Sequence, residues 1–143
     1  MKSETHDLLN RQFDRCPFTK AEELPTDTEI DQAQITLGCQ FHKDYIEFLQ
    51  VYGGGIVGSL DIYGLRPAEM MGDNWWSVVD LTIHFRQNDY PHTDEWYIIS
   101  GDGFGNPIGV SNDGKVLCYD FDSGRLYEEA PDFEAFLLKQ LSK

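Results

Sequence analysis

The sequence predicts an α+β fold: a single antiparallel sheet of about five strands, with a meander in the C-terminal half and helices packed mainly on one face. Two observations predict this class. Turn signals rich in Gly, Asn and Asp divide the last third of the chain into short runs of β-branched and aromatic residues, a pattern typical of consecutive hairpins. After Pro131 the apolar residues recur with a helical period, which predicts a closing helix that covers one face of the sheet.

The beginning of the chain is predicted to be mainly helical. Residues 1–24 are polar with scattered apolar positions, and we expect a short helix or a docked arm there. Thr26 and Glu29 have the spacing of a capping box, in which each side chain accepts a hydrogen bond from the other residue's backbone N–H. The apolar positions that follow recur at helical spacing and predict a short helix that ends at Gly38.

Three further elements are predicted before the meander. Residues 41–52 have apolar positions at a period of 3.6, which predicts a helix that Gly53 ends in a left-handed cap. Residues 60–63 predict a short strand. Residues 73–87 fit both a helical and an alternating pattern, but their length and the polar start at Asp73 favour a helix.

The meander itself is predicted from four apolar runs, at residues 96–100, 107–111, 115–120 and 125–128, followed by a helix over residues 133–141. Between the elements lie residues that tolerate the backbone conformations of tight turns. The residues predicted to have this structural role are Gly53, Gly54, Gly55, Asp102, Gly103, Gly105, Asn106, Gly114 and Gly124.

Length and cysteine content limit the class of protein. At 143 residues the chain has the size of one domain, and we expect residues 1–143 to form a single one. Neither a signal peptide nor a membrane span is predicted, because no apolar run has the required length. Cys16, Cys39 and Cys118 lack paired spacing and fit reduced thiols, so we expect a cytoplasmic protein.

The formal net charge of −14 is the feature that says most about partners. The acidic excess is spread along the chain, and a field of this sign repels phosphate backbones and anionic lipid while it attracts cationic surfaces. We therefore expect a basic protein partner, no direct binding of nucleic acid and no binding to membranes. An acidic surface that only keeps the protein soluble is the alternative interpretation.

Two glycine-rich segments resemble nucleotide-binding loops but lack the required context. Residues 53–58 are not followed by Gly-Lys-Ser/Thr, and a predicted strand comes next, which excludes a P-loop. The glycines of residues 101–105 lead into a strand, whereas those of a dinucleotide site open a helix. Both segments are interpreted as turns.

Metal binding and catalysis find little support in the residue pattern. Asp102, Asn106, Asp120 and Asp122 lack the alternation and the distal Glu of a calcium loop. The pair Cys39-x-x-His42 is half of a zinc pattern without a second half. No nucleophile elbow is present, and no cysteine has an electropositive neighbourhood. We expect no metal, no cofactor and no enzyme activity.

An aromatic-rich segment gives the candidate binding site. Tryptophan and tyrosine are favoured at protein interfaces, since they desolvate a large area with few rotatable bonds, and acidic residues beside them would suit a basic partner. The alternative is that these aromatic residues belong to the core. The predicted partner-binding residues are Asp73, Trp75, Trp76, Asp89, Tyr90, Asp94, Glu95 and Trp96.

Two groups of motifs together resemble a known family. The loop Asp102-Gly-x-Gly-Asn106 is followed by strand, turn, strand and a Phe133-x-x-Phe136-Leu137 helix, and upstream Phe41 and Tyr45 precede a Tyr-Gly-Gly-Gly turn. This order resembles the SUKH superfamily over about residues 28–141, and many members of that superfamily are bacterial immunity proteins.

The resemblance implies a non-catalytic binding protein that neutralises a toxin of its own cell or lineage, of nuclease type. It also leaves open a regulatory or scaffolding module that binds an endogenous peptide or a cell-wall-related partner. A small hydrolase is a third interpretation, but no residue pattern in the sequence supports it. We expect the protein to be a monomer or a weak dimer.

Overall fold

The computed structural model describes residues 1–14, 19, 23–66 and 76–143. Its helices and strands confirm the predicted α+β class. In chain order they are α1 (Ser3–Phe13), α2 (Asp27–Leu37), α3 (Lys43–Val51), β1 (Gly55–Val57), β2 (Leu60–Ile62), α4 (Val78–Gln87), β3 (Tyr97–Gly101), β4 (Pro107–Val110), β5 (Val116–Asp120), β6 (Arg125–Ala130) and α5 (Phe133–Leu141).

The main sheet is the predicted antiparallel meander, with its four strands in the order β3-β4-β5-β6. The two earlier strands form a separate hairpin, β1-β2, so that Gly55 opens a strand instead of lying in a turn. The hairpin docks beside β3. The Tyr63 N–H donates to the Ile99 carbonyl at 2.8 Å, and the Ser100 hydroxyl donates to the Asp61 carbonyl at 2.7 Å.

The main core lies between one face of the sheet and helices α2, α3 and α5. Aromatic rings form its centre: Tyr45 lies 5.2 Å from Tyr97 between ring centroids, and Phe48 lies 5.4 Å from Phe133. All four side chains are buried, and burial of each such side chain contributes about 1.5–3 kcal/mol. This core explains why the helices gather mainly on one side of the sheet.

The helix ends follow the predicted capping signals in most places. Both hydrogen bonds of the Thr26–Glu29 capping box are present at the start of α2, and Gly38 ends that helix with φ 65°. Helix α4 confirms the helical interpretation but begins later than expected. Its N-cap is Ser77, whose hydroxyl accepts the Asp80 N–H at 3.0 Å.

Helix α4 protects one edge of the sheet through a buried threonine. The Thr82 hydroxyl accepts a hydrogen bond from the Ile98 N–H of edge strand β3 at 2.8 Å and donates to the Val78 carbonyl at 2.6 Å. An edge strand with free backbone groups can pair with other chains, and an adjacent helix prevents this. Thr82 therefore occupies a place that a neighbouring strand would take.

The predicted N-terminal arm contains helix α1, which is fastened to α5 by one carboxylate. Glu134 accepts hydrogen bonds from the Lys2 N–H and the Thr5 hydroxyl, each at 2.6 Å. Burial raises the pKa of the Glu134 carboxyl, but the hydrogen bonds from Thr5 and Lys2 outweigh it, and the net pKa is lowered from 4.5.

We predict that Thr82→Val lowers the free energy of unfolding by about 1–3 kcal/mol, since it keeps the shape but leaves the Ile98 N–H without an acceptor. Urea denaturation measures this change. Thr28→Val, on the exposed side of α2, is the matched control and should change stability by less than about 0.5 kcal/mol. Equal effects of the two substitutions would contradict the role assigned to Thr82.

We predict that Glu134→Gln destabilises the protein most near neutral pH. A carboxyl whose pKa is lowered in the folded state adds stability above its unfolded pKa of 4.5, and this contribution disappears as the pH falls through the folded value. The difference in stability between the wild type and the variant, measured by denaturation from pH 7 to pH 3, should therefore shrink with acidification. A constant difference would show that the charge of Glu134 is unimportant.

Candidate partner-binding face

The sheet face opposite the main core is here called the outer face; it carries Trp96, Ile98, Gly109, Leu117, Tyr119 and Leu126. Strand alternation places these residues together, because every second side chain of a strand points to the same side. Leu81 and Phe85 of α4 pack over the β3 end of the outer face. At the β6 end no described element packs over Leu126, which is 44% exposed.

Trp96 forms the floor of the outer face. Its side chain is only 3% exposed, so it is a packed residue and not the exposed anchor that the sequence suggested. The indole lies against Gly109 of β4. A Cβ at Gly109 would lie 2.8 Å from Trp96 Cε3 and 3.0 Å from Ile98 Cδ1, so the missing side chain makes room for the ring.

The segment that carries Asp94, Glu95 and Trp96 is held by an arginine of α4. The Arg86 guanidinium donates to the carbonyls of Thr93, Trp96 and Leu37 at 3.0, 2.9 and 2.8 Å, and its Nη2 lies 3.2 Å from Cys39 Sγ. These bonds join the 3₁₀ turn Thr93–Glu95 to the end of α2. These hydrogen bonds therefore fix the position of the turn that carries Asp94 and Glu95.

The loop between α4 and β3 has an unusual backbone. Asp89 and His92 have φ values of 57° and 71°, in the left-handed region that few residues other than glycine adopt. The Tyr90 carbonyl accepts the Thr93 hydroxyl at 2.8 Å and closes the turn. The His92 ring stacks over Trp96, with centroids 6.3 Å apart and planes inclined by 17°. The loop therefore presents Asp89 and His92 outward in fixed positions.

A continuous chain of aromatic contacts crosses the outer face and its α4 border. Successive ring centroids lie 4.7–6.5 Å apart, within the range of favourable aromatic pairs. The chain runs through Trp76, His84, Phe85, Tyr90, Tyr119, His92 and Trp96, and Phe121 joins it at Tyr90 with centroids 5.5 Å apart. Three of the predicted site residues, Trp76, Tyr90 and Trp96, are thus linked. Asp73 and Trp75 lie outside the described residues.

The sequence reasoning missed the exposed aromatic side chains at the β5–β6 end of the sheet. Phe121, which contacts Tyr90 of the aromatic chain, is 63% exposed. Tyr127 is 42% exposed and lies on the opposite face, since it pairs with Cys118 of the main core, and Phe104 at the tip of the β3–β4 loop is 89% exposed. One signal was available. Strand β5 has apolar residues at both alternating positions, for example Leu117 beside Cys118, which indicates a strand with apolar groups on two faces.

Hydrogen bonds of the Asp102–Asn106 loop position Phe104 and Phe121. Asp102 Oδ1 accepts the backbone N–H groups of Phe104 and Asn106 at 2.8 and 3.1 Å. Asn106 Oδ1 in turn accepts the Phe121 N–H at 3.0 Å, so the loop is tied to the β5–β6 turn. Glycines with positive φ on both sides of Phe104 complete a tight loop that holds its ring in solvent.

Carboxylates border the aromatic chain. Asp89, Asp94 and Glu95 are exposed, and no lysine, arginine or hydrogen-bond donor from the described part of the chain contacts the side chains of Asp94 and Glu95. On β6, Glu128 is paired with Lys115 at 3.6 Å. Asp94 and Glu95 therefore form no ion pair among the described residues, while the Arg86 guanidinium behind the same turn offsets part of their charge.

A shallow cleft of about 320 Å³ lies where the acidic border meets the outer face. Its walls are formed by His92, Asp94, Glu95, Trp96, Leu117 and Leu126. The cleft joins three predicted site residues to two aliphatic residues of the meander that the sequence reasoning did not select.

Cys39 and His42, the two residues of the half zinc pattern, form hydrogen bonds within the protein. The Cys39 thiol lies 3.5 Å from the Leu37 carbonyl and 3.7 Å from that of Trp96. His42 Nε2 contacts the Asn112 carbonyl at 3.0 Å, and His42 Nδ1 contacts the Tyr97 hydroxyl at 2.8 Å. Among residues 1–14, 19, 23–66 and 76–143, no group of three or more His, Cys, Asp or Glu side chains could hold a metal ion.

The expectation that no cysteine has an electropositive neighbourhood is wrong for Cys39, whose Sγ lies 3.2 Å from the Arg86 guanidinium. Cys39 and Cys118 are both buried and free of disulfides. Burial, together with nearby carboxylates such as Asp102, raises the pKa of the Cys118 thiol to about 12, so the thiolate required of a nucleophile is disfavoured there. Cys16 lies outside the described residues.

None of the helices in the described ranges is long and apolar enough to cross a membrane.

No curated protein matches the chain. A family model described as SMI1-KNR4 cell-wall (SUKH_5) matches residues 5–142. Since that match spans nearly the whole sequence, the chain belongs to the SMI1-KNR4 (SUKH) family.

Proposed function

We propose that this chain is a non-catalytic, cytoplasmic immunity protein that binds and neutralises a basic toxin domain of nuclease type through the outer face and its acidic border. The observation that supports this most is the aromatic chain from Trp76 to Trp96, in which Trp76 and the branching Phe121 are exposed and beside which Asp94 and Glu95 lie unpaired. Family membership supports the general class, since SUKH proteins are generally binding modules without catalytic activity.

The aromatic and aliphatic side chains would supply most of the affinity. A buried aromatic residue contributes about 150–250 Å² of contact, and a few such residues commonly dominate an interface. The surface also requires little ordering on binding, because Gly109 seats Trp96 and the Asp102 loop fixes Phe121. Preorganised side chains lose less entropy when a partner covers them.

The negative charge would increase the rate of association and the selectivity for basic partners. A nuclease must present cations to hold phosphate groups, and carboxylates such as Asp94 and Glu95 can pair with those cations. The net charge of −14 also steers a basic partner from a distance, an effect that salt screens with a Debye length of about 8 Å at physiological ionic strength. The same field disfavours direct contact between this protein and nucleic acid.

A regulatory or scaffolding module is the second candidate, and the cell-wall description of the matching family favours it. Such a module would use the same face for an endogenous peptide or a cell-wall-related partner. The identity of the partner distinguishes the two functions, because only the immunity function predicts that binding abolishes a toxic activity.

We predict that the toxin domain encoded beside this chain forms a one-to-one complex with it and loses nuclease activity in the complex. Association measured by stopped flow should slow by about tenfold or more between 20 and 300 mM salt, as expected for steered binding. Co-expression should restore growth of cells that produce the toxin. A purified toxin that is neither bound nor inhibited would contradict the immunity function.

We predict that Phe121→Ser and Leu126→Ser each weaken binding to that partner by about 10- to 100-fold, since both side chains are exposed in the free protein and would be buried in the proposed complex. Calorimetric titration measures the change, and the stability of the free protein should hardly change. Ile35→Ser is the matched control, because Ile35 is 73% exposed and lies on α2, a helix that packs on the main-core side of the sheet. An effect of Ile35→Ser as large as those of the other two would place the interface elsewhere.

A further inference from the structure

We propose that the cleft between the 3₁₀ turn and strands β5 and β6 receives one arginine side chain of the partner. This inference rests on the proposed function, in which a basic protein covers the outer face. It adds the chemistry of one contact: a guanidinium between Asp94 and Glu95, with its methylene stem against Leu117 and Leu126.

The charge of the cleft calls for a cation. Asp94 and Glu95 are neighbours on one short turn, both are exposed, and neither is paired within the part of the chain that the structure describes. Two basic residues lie on or next to β5 and β6. Lys115 is already 3.6 Å from Glu128 and 3.9 Å from Asp113, and strand alternation places Arg125 on the face opposite Leu126. Asp94 and Glu95 are therefore available to pair with a cation of the partner.

The apolar walls select a long side chain over a small ion. Leu117 is half-buried and Leu126 is exposed, so the cleft offers aliphatic surface that a hydrated metal ion would leave uncovered. Arginine can lay its methylene groups along such a surface and keep its charged end at the rim. The volume of about 320 Å³ is at the lower end of the range of about 300–1,000 Å³ for ligand pockets and suits one side chain.

The shape of the rim favours arginine over lysine. A guanidinium is planar, presents a fork of N–H donors to neighbouring carboxylates and stacks on flat rings, whereas an ammonium is a compact and strongly hydrated charge. His92 supplies such a ring at the mouth of the cleft, where it is exposed and held by its stacking on Trp96.

The cleft is formed before the partner arrives. Arg86 fixes the 3₁₀ turn by its bonds to Thr93 and Trp96, and Gly109 seats the indole below. Little rearrangement is then needed on binding, which leaves more of the interaction energy for affinity.

The test uses small peptides, so it does not depend on the toxin. Acetyl-Gly-Arg-Gly-amide is titrated into the ¹⁵N-labelled full chain, and parallel titrations use the lysine peptide and the neutral citrulline peptide. We expect saturable shifts confined to the amides of residues 92–96, 117 and 126. We also expect the lysine and citrulline peptides to bind at least about fivefold more weakly than the arginine peptide.

Two double variants complete the test. Asp94→Asn with Glu95→Gln should abolish the saturable shifts. Glu4→Gln with Asp31→Asn, which removes the same charge from the exposed sides of α1 and α2, should leave them unchanged. Thermal unfolding and amide spectra of both double variants show whether either substitution impairs folding.

The outcomes separate this inference from the proposed function. Equal binding of the arginine and lysine peptides, shifts spread over all acidic surfaces, or full binding by the Asp94/Glu95 variant would each overturn the arginine site. If the purified toxin still binds in those cases, the immunity function stands. If the arginine peptide binds as expected while the toxin is neither bound nor inhibited, the site stands and the immunity function is wrong.

Discussion

The four-stranded sheet has apolar side chains on both of its faces, and the described helices cover the main-core face more extensively than the outer face. On the main-core side, rings such as Tyr45 and Phe133 form a continuous buried core with the sheet, although Tyr127 of β6 stays 42% exposed. On the outer side, α4 protects the β3 end and the apolar surface continues to Leu126 without further cover by a described element. Apolar surface left in solvent has an energetic cost, and in folded proteins such patches commonly mark sites of interaction. The candidate site thus follows from an imbalance in the fold.

Helix α4 connects the two sides of the sheet. Its Thr82 satisfies the edge of β3, and its Arg86 joins the end of α2 to the turn that carries the acidic residues. Arg86 has only carbonyl and thiol partners among the described residues, so its positive charge is used for positioning and is not neutralised by a carboxylate. The candidate site is therefore rigid because it is built on core contacts.

The sequence predicted what depends on local signals. Thr26, Glu29 and Gly38 mark helix α2 through side-chain and backbone preferences that act within a few residues, and the glycine turns mark the meander in the same way. The sequence was less informative about features that depend on contacts between residues distant in the chain. The start of α4 depends on Ser77, since a serine hydroxyl competes well as an N-cap. The burial of Trp96 depends on Gly109, a residue of another strand, which no local pattern indicates.

The chemistry of the outer face separates two contributions that a partner would experience at different stages. The field of the whole chain acts before contact, and because the acidic residues are distributed along the sequence, removal of one changes the field little. The aromatic chain and the cleft act only at contact, where position matters and one side chain such as Phe121 has a large effect. A protein with charge alone would attract many basic partners equally. The fixed arrangement of rings, aliphatic walls and two unpaired carboxylates gives this acidic protein a means to choose among them.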